Sequence, residues 1–475
     1  MNNNFKSLIF LLFFFLFSSC ENMSKTELPN IILLMTDDQG WGQTGYYNHP
    51  VLKTPNLDEM AKNGLRLDRF YAGAPQCSPT RASVLTGRSN DRTGVFYHGY
   101  PLNKSEKTIA QALKTAGYKT GHFGKWHLNG LRGPGVPIFK DDKYSPGVFG
   151  FDKWLSVTNF FDIDPVMSYN GEFQEFKGSS SEIIIDEALK FIKENNDKNI
   201  PSFTVIWDGS PHTPMLASEE DRVEFKNLEL RSQHHYGELV AFDRSLGLLR
   251  KELKELGISD NTILWFCSDN GGLDRISPST VRELKGFKNT MWEGGLRVPA
   301  IIEWPLAIKS KVSSYPASTM DIVPTILDIV GISDSKMLKP IDGMSLKPLF
   351  NSQIKKRALK IPFRFDDRGA MIDNDIKLIV RSIKKSEFEL YNLAVDPKES
   401  TDIKDEHRST FKMIKKDYLD WTVSVENSIE GNDYDNPKID NDSFPRVWNK
   451  DERYRPYFNE WSKRPEYKNW VKKTN

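Results

Sequence analysis

The sequence predicts an α/β fold: a mixed, mostly parallel central sheet sandwiched by helices, with a smaller C-terminal α+β subdomain of antiparallel sheet plus helix. Three observations carry this expectation. Apolar runs of strand length alternate with stretches of helical spacing through most of the chain. The chain has 475 residues, 38% of them apolar, which is enough for one large core and a smaller one. Near residue 350 the pattern changes to short runs typical of antiparallel strands.

The first segment, residues 1–20, reads as an export signal. Lys6 is the only charge between Met1 and Ser19, and Leu8 to Phe17 is unbroken apolar sequence, too short to span a bilayer. Ser18-Ser19-Cys20 then places small residues before a Cys, as in a bacterial lipobox, although Phe17 stands where Leu is usual. The expectation is lipidation of Cys20 and export to the cell envelope, facing the periplasm or cell surface, with membrane attachment only through that anchor. An ordinary secretory signal cut nearby is the alternative.

Residues 28–348 form the expected main domain. Ile31–Met35, Phe203–Trp207, Ile263–Cys267 and Pro299–Trp304 are predominantly apolar and read as buried strands. Residues 107–116, 182–195, 233–256 and 320–330 carry helical spacing. Residues 349–475 form the subdomain and tail. Leu378–Val380 and Phe388–Leu393 read as strands, Asp396-Pro397 as a turn and 403–428 as a helix. The tail from about residue 430 reads as an irregular strap over the surface; a glycan contact through Trp448, Trp461 and Trp470 is a weaker alternative. No internal repeat is visible.

Net charge is +1, so no global field points to nucleic acid, and an anionic ligand must be held by local cations. Of three cysteines, Cys267 lies in an apolar run and is expected to pack as a small hydrophobe. No structural disulfide is expected.

Cys77-Ser78-Pro79-Thr80-Arg81, running on to Thr86-Gly87-Arg88, is the most informative stretch. Pro79 suits the first turn of a helix, and Gly87 suits its end. Cys77 then sits at a helix N-terminus, where unpaired N–H groups favour an anion. Arg81 falls four residues on, along the same face.

Polar residues of interest follow the predicted strands, where ligands gather in such folds. Asp37-Asp38 neighbour Gly40, which permits a strand to break so that adjacent carboxylates share an ion. Ser268-Asp269-Asn270-Gly271 follows another strand. Together they offer an all-oxygen set suited to Ca²⁺ or Mg²⁺ rather than Zn²⁺. In an extended segment Lys125 and His127 face one side. His212 lies between two prolines, and Lys288 precedes Trp292-Glu293-Gly294-Gly295.

In this order the motifs resemble the formylglycine-dependent type I sulfatases of the alkaline phosphatase superfamily, over roughly residues 28–400. The resemblance implies that Cys77 is oxidised to formylglycine (3-oxoalanine) by a formylglycine-generating or sulfatase-maturing enzyme. It implies metal ligands at Asp37, Asp38, Asp269 and Asn270, with residue 77 completing the set around Ca²⁺ more readily than Mg²⁺. It places Arg81, Lys125, His127, His212 and Lys288 at catalytic and sulfate-binding positions. Glu389-Leu390-Tyr391-Asn392-Leu393 resembles the family's C-terminal motif. The expected activity is hydrolysis of sulfate esters on a sulfated carbohydrate, such as an algal polysaccharide or an oligosaccharide derived from it. A formylglycine-dependent phosphonate or phosphodiester hydrolase and a non-catalytic glycan-binding lipoprotein are the alternatives; the pair Lys125 and Lys288 resembles the sulfatase arrangement more closely. Tyr46, His49, His98, Tyr100, Asp162, Arg275, Arg364 and Arg368 are candidate specificity residues around the pocket mouth.

Overall fold

The computed structural model describes residues 28–352, 354–435 and 444–472. The expected signal and Cys20 lie outside the described residues.

A ten-stranded mixed sheet forms the centre. The Asn30–Thr36 strand runs parallel to Thr262–Ser268 on one side and to Ser202–Trp207 on the other. Lys119–Lys125 and Lys153–Val157 extend the parallel set. Ala300–Glu303 and Leu65–Leu67 add antiparallel pairings on one side, where Lys311–Ser313 forms the edge parallel to Leu65–Leu67, and the antiparallel Val166–Tyr169 and Glu172–Glu175 hairpin finishes the other. The apolar run at 299–304 is therefore a strand, but one that returns against its neighbour. Its composition marks burial and says nothing of direction.

Side-chain alternation along the central strand divides the core. Ile32 and Leu34 pack with Ile184, Phe191, Phe242 and Leu246 from the helices Ser180–Asn196 and Leu230–Glu255. Ile31, Leu33 and Met35 pack on the opposite face with Ala82, Leu85, Ile109, Leu113 and Ile326. Burying each large aliphatic side chain contributes roughly 1.5–3 kcal/mol. Cys267 belongs to this second cluster. The helix expected over 107–116 is shorter, Ile109–Lys114, because Thr108 and Gln111 close a capping box at its start.

Strands Ile361–Phe365, Arg368–Asp373, Ile376–Ser382 and Glu387–Asn392 form a four-stranded antiparallel sheet. Its helix, Arg408–Ile429, begins later than the sequence predicts. The Ile403 N–H is used by the Leu390 carbonyl at 2.9 Å, which ties that residue to the sheet. Where this sheet meets the main domain, Lys377 Nζ lies 2.9 Å from both Glu293 and Glu399. All three side chains are buried, and the Glu293 N–H donates to Glu399 at 2.7 Å.

The tail is a strap with its own small core. Trp448, Tyr454, Trp461 and Tyr467 cluster against Leu131 and Val136, and Arg446–Val447 pairs with Leu131–Arg132. Trp448 and Trp461 are fully enclosed, which removes them as glycan contacts. Trp470 packs on the same cluster.

Candidate active site

The parallel strands end together, and their C-terminal loops bring the polar motifs into one cavity. Asp38 takes a left-handed φ of 65°, which turns the chain at the strand end so that its carboxylate and that of Asp37 converge. The turn thus lies at Asp38 and not at Gly40. Gly40 serves a close approach instead, since a Cβ there would meet the Thr280 carbonyl oxygen at 2.2 Å.

The Cys77–Thr86 helix is buried along its whole length. Cys77 opens it, Pro79 lies in its first turn, and Gly87 closes it at φ 71°. Ser78 Oγ donates to the His127 carbonyl and accepts from the Gly99 N–H, both at 2.7 Å, so the helix start fixes two neighbouring loops.

Arg81 spans the two acidic motifs. Its Nη2 lies 2.8 Å from Asp37 Oδ2 and 2.8 Å from Asp269 Oδ2. Nη1 donates to the Lys125 carbonyl at 3.0 Å, and the guanidinium lies over the Trp207 ring. Lys125 Nζ pairs with Asp37 Oδ2 at 2.5 Å. Lys288 Nζ pairs with Asp38 Oδ1 at 2.5 Å, the oxygen that also accepts from Asn270 Nδ2 at 2.7 Å. Arg81, Lys125 and the three aspartates are all 0% exposed.

Electrostatics separates the carboxylates. Burial pushes Asp37 up, but the cations around it, Lys125 first and then Arg81 and Lys288, outweigh it and hold it well below its usual range. Burial raises Asp38 against the opposing pull of Lys288. Burial and the Asp37 charge push Asp269 up to about 7. The Cys77 thiol is raised by burial, against Lys125 and Lys288.

Both imidazoles are neutral at pH 7. Burial, then Lys125 and Arg81, hold His127 well below its ordinary value; burial, then Lys125 and Lys288, do the same to His212. The expected extended register does not continue past Lys125, where the strand ends. His127 sits at φ 54° and still reaches the Lys125 neighbourhood, with both ring nitrogens buried and, among the described residues, without a hydrogen-bond partner. His212 Nδ1 lies 2.5 Å from the Thr213 carbonyl, Nε2 lies 4.0 Å from Asp38 Oδ2, and the ring stacks on Phe160 at 5.1 Å.

The donor set fits a divalent cation. Asp37 Oδ1, Asp38 Oδ2 and Asn270 Oδ1 are buried acceptors without a donor among the described residues, and such atoms are rare unless something fills the gap. Cys77 Sγ and one oxygen each of Asp37 and Asp269 lie within 4.8 Å of one another. Three carboxylates and an amide oxygen suit a hard cation.

Of the specificity candidates, His98 borders the cavity, its ring 6.4 Å from that of His127, and Arg368 reaches its edge through the Asn289 carbonyl. Tyr100 packs between Phe96 and Tyr97 beside His98. The remainder have other work. Tyr46 lies against Tyr47 and Arg66. His49 Nδ1 accepts from the Leu52 N–H. Asp162 is grouped with Asp208 and Glu238. Arg275 is exposed beside Asp274. Arg364 pairs with Asp91 and Glu426, drawn there by the C-terminal helix. Sequence reasoning missed Gln76, Asn289 and Arg132. Gln76 and Asn289 directly adjoin Cys77 and Lys288, which was a usable signal; Arg132 carried none.

An α/β sheet that gathers three carboxylates, a cysteine, three cations and two neutral imidazoles at its strand ends defines a class of centre suited to an anionic group beside a divalent cation. Residues 29–332 match the sulfatase family, and the chain belongs to it. Residues 286–420 match the C-terminal region described for N-sulphoglucosamine sulphohydrolase. The chain is 34% identical over 354 residues to N-acetylgalactosamine-6-sulfatase of Rattus norvegicus, covering 67% of this chain and 65% of that protein. The match thus spans just under two thirds of that relative's length. An ulvan-active sulfatase of Formosa agariphila is 30% identical over 397 residues, covering 77% of this chain and 73% of its own. The crystal structure of Ps i-CgsB superimposes with a TM-score of 0.74 at 25% identity, covering 83% of this chain and 92% of the other.

Proposed function

We propose that this protein hydrolyses sulfate esters of a sulfated carbohydrate. One observation carries the reading. Asp37, Asp38 and Asp269 are balanced one for one by Arg81, Lys125 and Lys288. A divalent cation therefore leaves the cavity with an excess of positive charge, which suits the monoanionic sulfate ester.

Asp37, Asp38, Asp269 and Asn270, with residue 77, would hold that cation, Ca²⁺ in preference to Mg²⁺, and it would supply Lewis-acid polarisation of a sulfate oxygen. Cys77, once converted to formylglycine by a maturing enzyme, would supply an aldehyde hydrate: one hydroxyl to attack sulfur, the other to be deprotonated so that sulfate leaves.

The chain's own residues perform the rest. Lys125 and Lys288 both act on residue 77 and would offset charge on the sulfuryl oxygens; preorganised charge of this kind is usually the largest catalytic contribution. Arg81 is a positioning residue, since its hydrogen bonds go to Asp37, Asp269 and the Lys125 carbonyl. His127, neutral and with two unpartnered nitrogens, is suited to accept the proton of the second hydroxyl. The Thr213 carbonyl can only accept, so His212 carries its proton on Nδ1. Donation from Nε2 to a leaving alcohol then requires the imidazolium, which Asp38 would stabilise.

Export and lipidation at Cys20 belong to the same reading, since polymeric glycans are met outside the cell. The test is sulfate release by the matured protein from an aryl sulfate and a panel of sulfated oligosaccharides, run beside an aryl phosphodiester. Cleavage of the phosphodiester without release of sulfate would overturn the proposal.

A further inference from the structure

The cavity wall beside residue 77 continues outward as a hydrogen-bonded chain that the roles above do not use. Gln76 Nε2 donates to Asn289 Oδ1 at 2.7 Å, and Gln76 Oε1 accepts from the His98 N–H at 2.9 Å. Asn289, held at φ 72°, donates its N–H to the Pro75 carbonyl at 3.0 Å. Each end of this chain carries a guanidinium. Arg368 Nη1 donates to the Asn289 carbonyl at 3.2 Å, and Arg132 Nε donates to the His98 carbonyl at 3.0 Å.

His98 joins this rim to the interior. It is solvent-exposed, yet its ring neighbours the buried His127. Partial desolvation of the ring, then Arg132, Lys288 and Lys125, lower its pKa to about 4, so one imidazole feels both a rim arginine and the two inner lysines.

The two arginines differ from others nearby. Arg88, Arg92 and Arg357 each face a carboxylate. Among the described residues no carboxylate acts on the partly buried Arg132: burial pulls its pKa down and Tyr100 opposes. Arg368 lies over the Phe365 ring at 5.1 Å, and Tyr97 packs on the same ring at 5.3 Å. A partly desolvated guanidinium without a carboxylate is suited to an incoming planar or tetrahedral anion.

We propose that His98, Arg132 and Arg368 form a second anion subsite at the cavity mouth, which holds a further acidic group, sulfate or carboxylate, on a sugar linked to the one whose ester is cleaved. The inference rests on the sulfatase reading and deepens it. The substrate is a polyanionic oligosaccharide, and its second charge is read outside the reaction cavity.

The test uses two defined oligosaccharides that differ only in the second acidic group, with Arg132→Gln and Arg368→Gln. For the doubly charged substrate each variant should raise KM about tenfold with kcat nearly kept, as expected for a charge contact of about 1.4 kcal/mol. For the singly charged substrate the change in KM should be several-fold smaller. Equal losses on both substrates, or no loss on either, would overturn the subsite. Calorimetric binding to the Cys77→Ala protein separates this proposal from the catalytic one. Preference for the doubly charged sugar should weaken with salt and vanish in the two arginine variants on that background. If that preference stands while the matured wild type releases sulfate from nothing, the catalytic reading falls and the subsite survives; if the preference is absent, the subsite falls.

Discussion

Arg81 and Asp269 meet at 2.8 Å with neither side chain exposed to solvent, and the same nitrogen holds Asp37 at 2.8 Å. A lysine cannot reproduce this, because a point charge cannot donate to two carboxylates and the Lys125 carbonyl in fixed directions. Arg81→Lys should lower stability by about 1–3 kcal/mol in metal-free buffer, the range for leaving a buried acceptor without its donor. Calcium should restore part of the loss by compensating the same carboxylates. Thermal melts with and without calcium test this: the calcium-induced rise in Tm should be larger in the variant than in the wild type.

The wild type should itself gain stability from the cation. A ligand that binds only the folded state at a hundred times its Kd adds about 2.7 kcal/mol. Asp38→Asn removes a carboxylate with an orphaned oxygen and should shrink that gain. An unchanged calcium response in Asp38→Asn would place the ion elsewhere.

Cys77→Ala should abolish sulfate release and leave the fold in place. The lost sulfur leaves a small void, worth on the order of 1 kcal/mol. Mass spectrometry of the active wild type should find the sulfur at residue 77 replaced by oxygen. Full activity with a free thiol there would remove the nucleophile from the mechanism.

His49 gives a pH prediction remote from the chemistry. Its Nδ1 accepts the Leu52 N–H at 2.9 Å, which requires that nitrogen to be unprotonated. Burial, then Arg282, lowers its pKa to about 4. Between the unfolded value of about 6.5 and 4, the unfolded chain binds a proton that the folded chain refuses, so stability rises with pH across this window. The contribution is intact above about pH 6.5 and is lost on acidification toward 4. Chemical denaturation at several pH values should show a shallower acid slope in His49→Gln than in the wild type.

Trp448 is fully enclosed within the tail cluster. Trp448→Ala should cost about 3–5 kcal/mol and loosen the strap. Limited proteolysis should then cut first beyond residue 430. Weakened glycan binding with unchanged stability would contradict the packing role.

Much of the chemistry was legible in the sequence because it lies at strand ends, where apolar runs stop abruptly. Asp37, Asp269 and Cys77 each follow or begin an element whose pattern was plain. Direction was not legible: Ala300–Glu303 has the composition of a parallel strand and pairs antiparallel. Neither was the origin of the turn, since Asp38 adopts a conformation usually reserved for glycine. Rim residues were the hardest. Tyr46, His49 and Arg364 have the right chemistry for a pocket mouth, yet packing and local ion pairs claim them, and Arg132 reaches the rim only because the 131–132 segment pairs with the tail.

The salt-linked lysine at residue 377 has a practical consequence for anyone dividing this chain. A fragment stopped near residue 348 would discard the Lys377 ammonium, leave Glu293 with Arg297 at 3.6 Å as its remaining cation, and uncover the apolar face of Tyr71, Met291 and Leu296 that the C-terminal sheet buries. The compact α/β portion is therefore unsuited to production as a stand-alone catalyst. Co-expression of the two halves should recover soluble protein only when the second retains both Lys377 and Glu399.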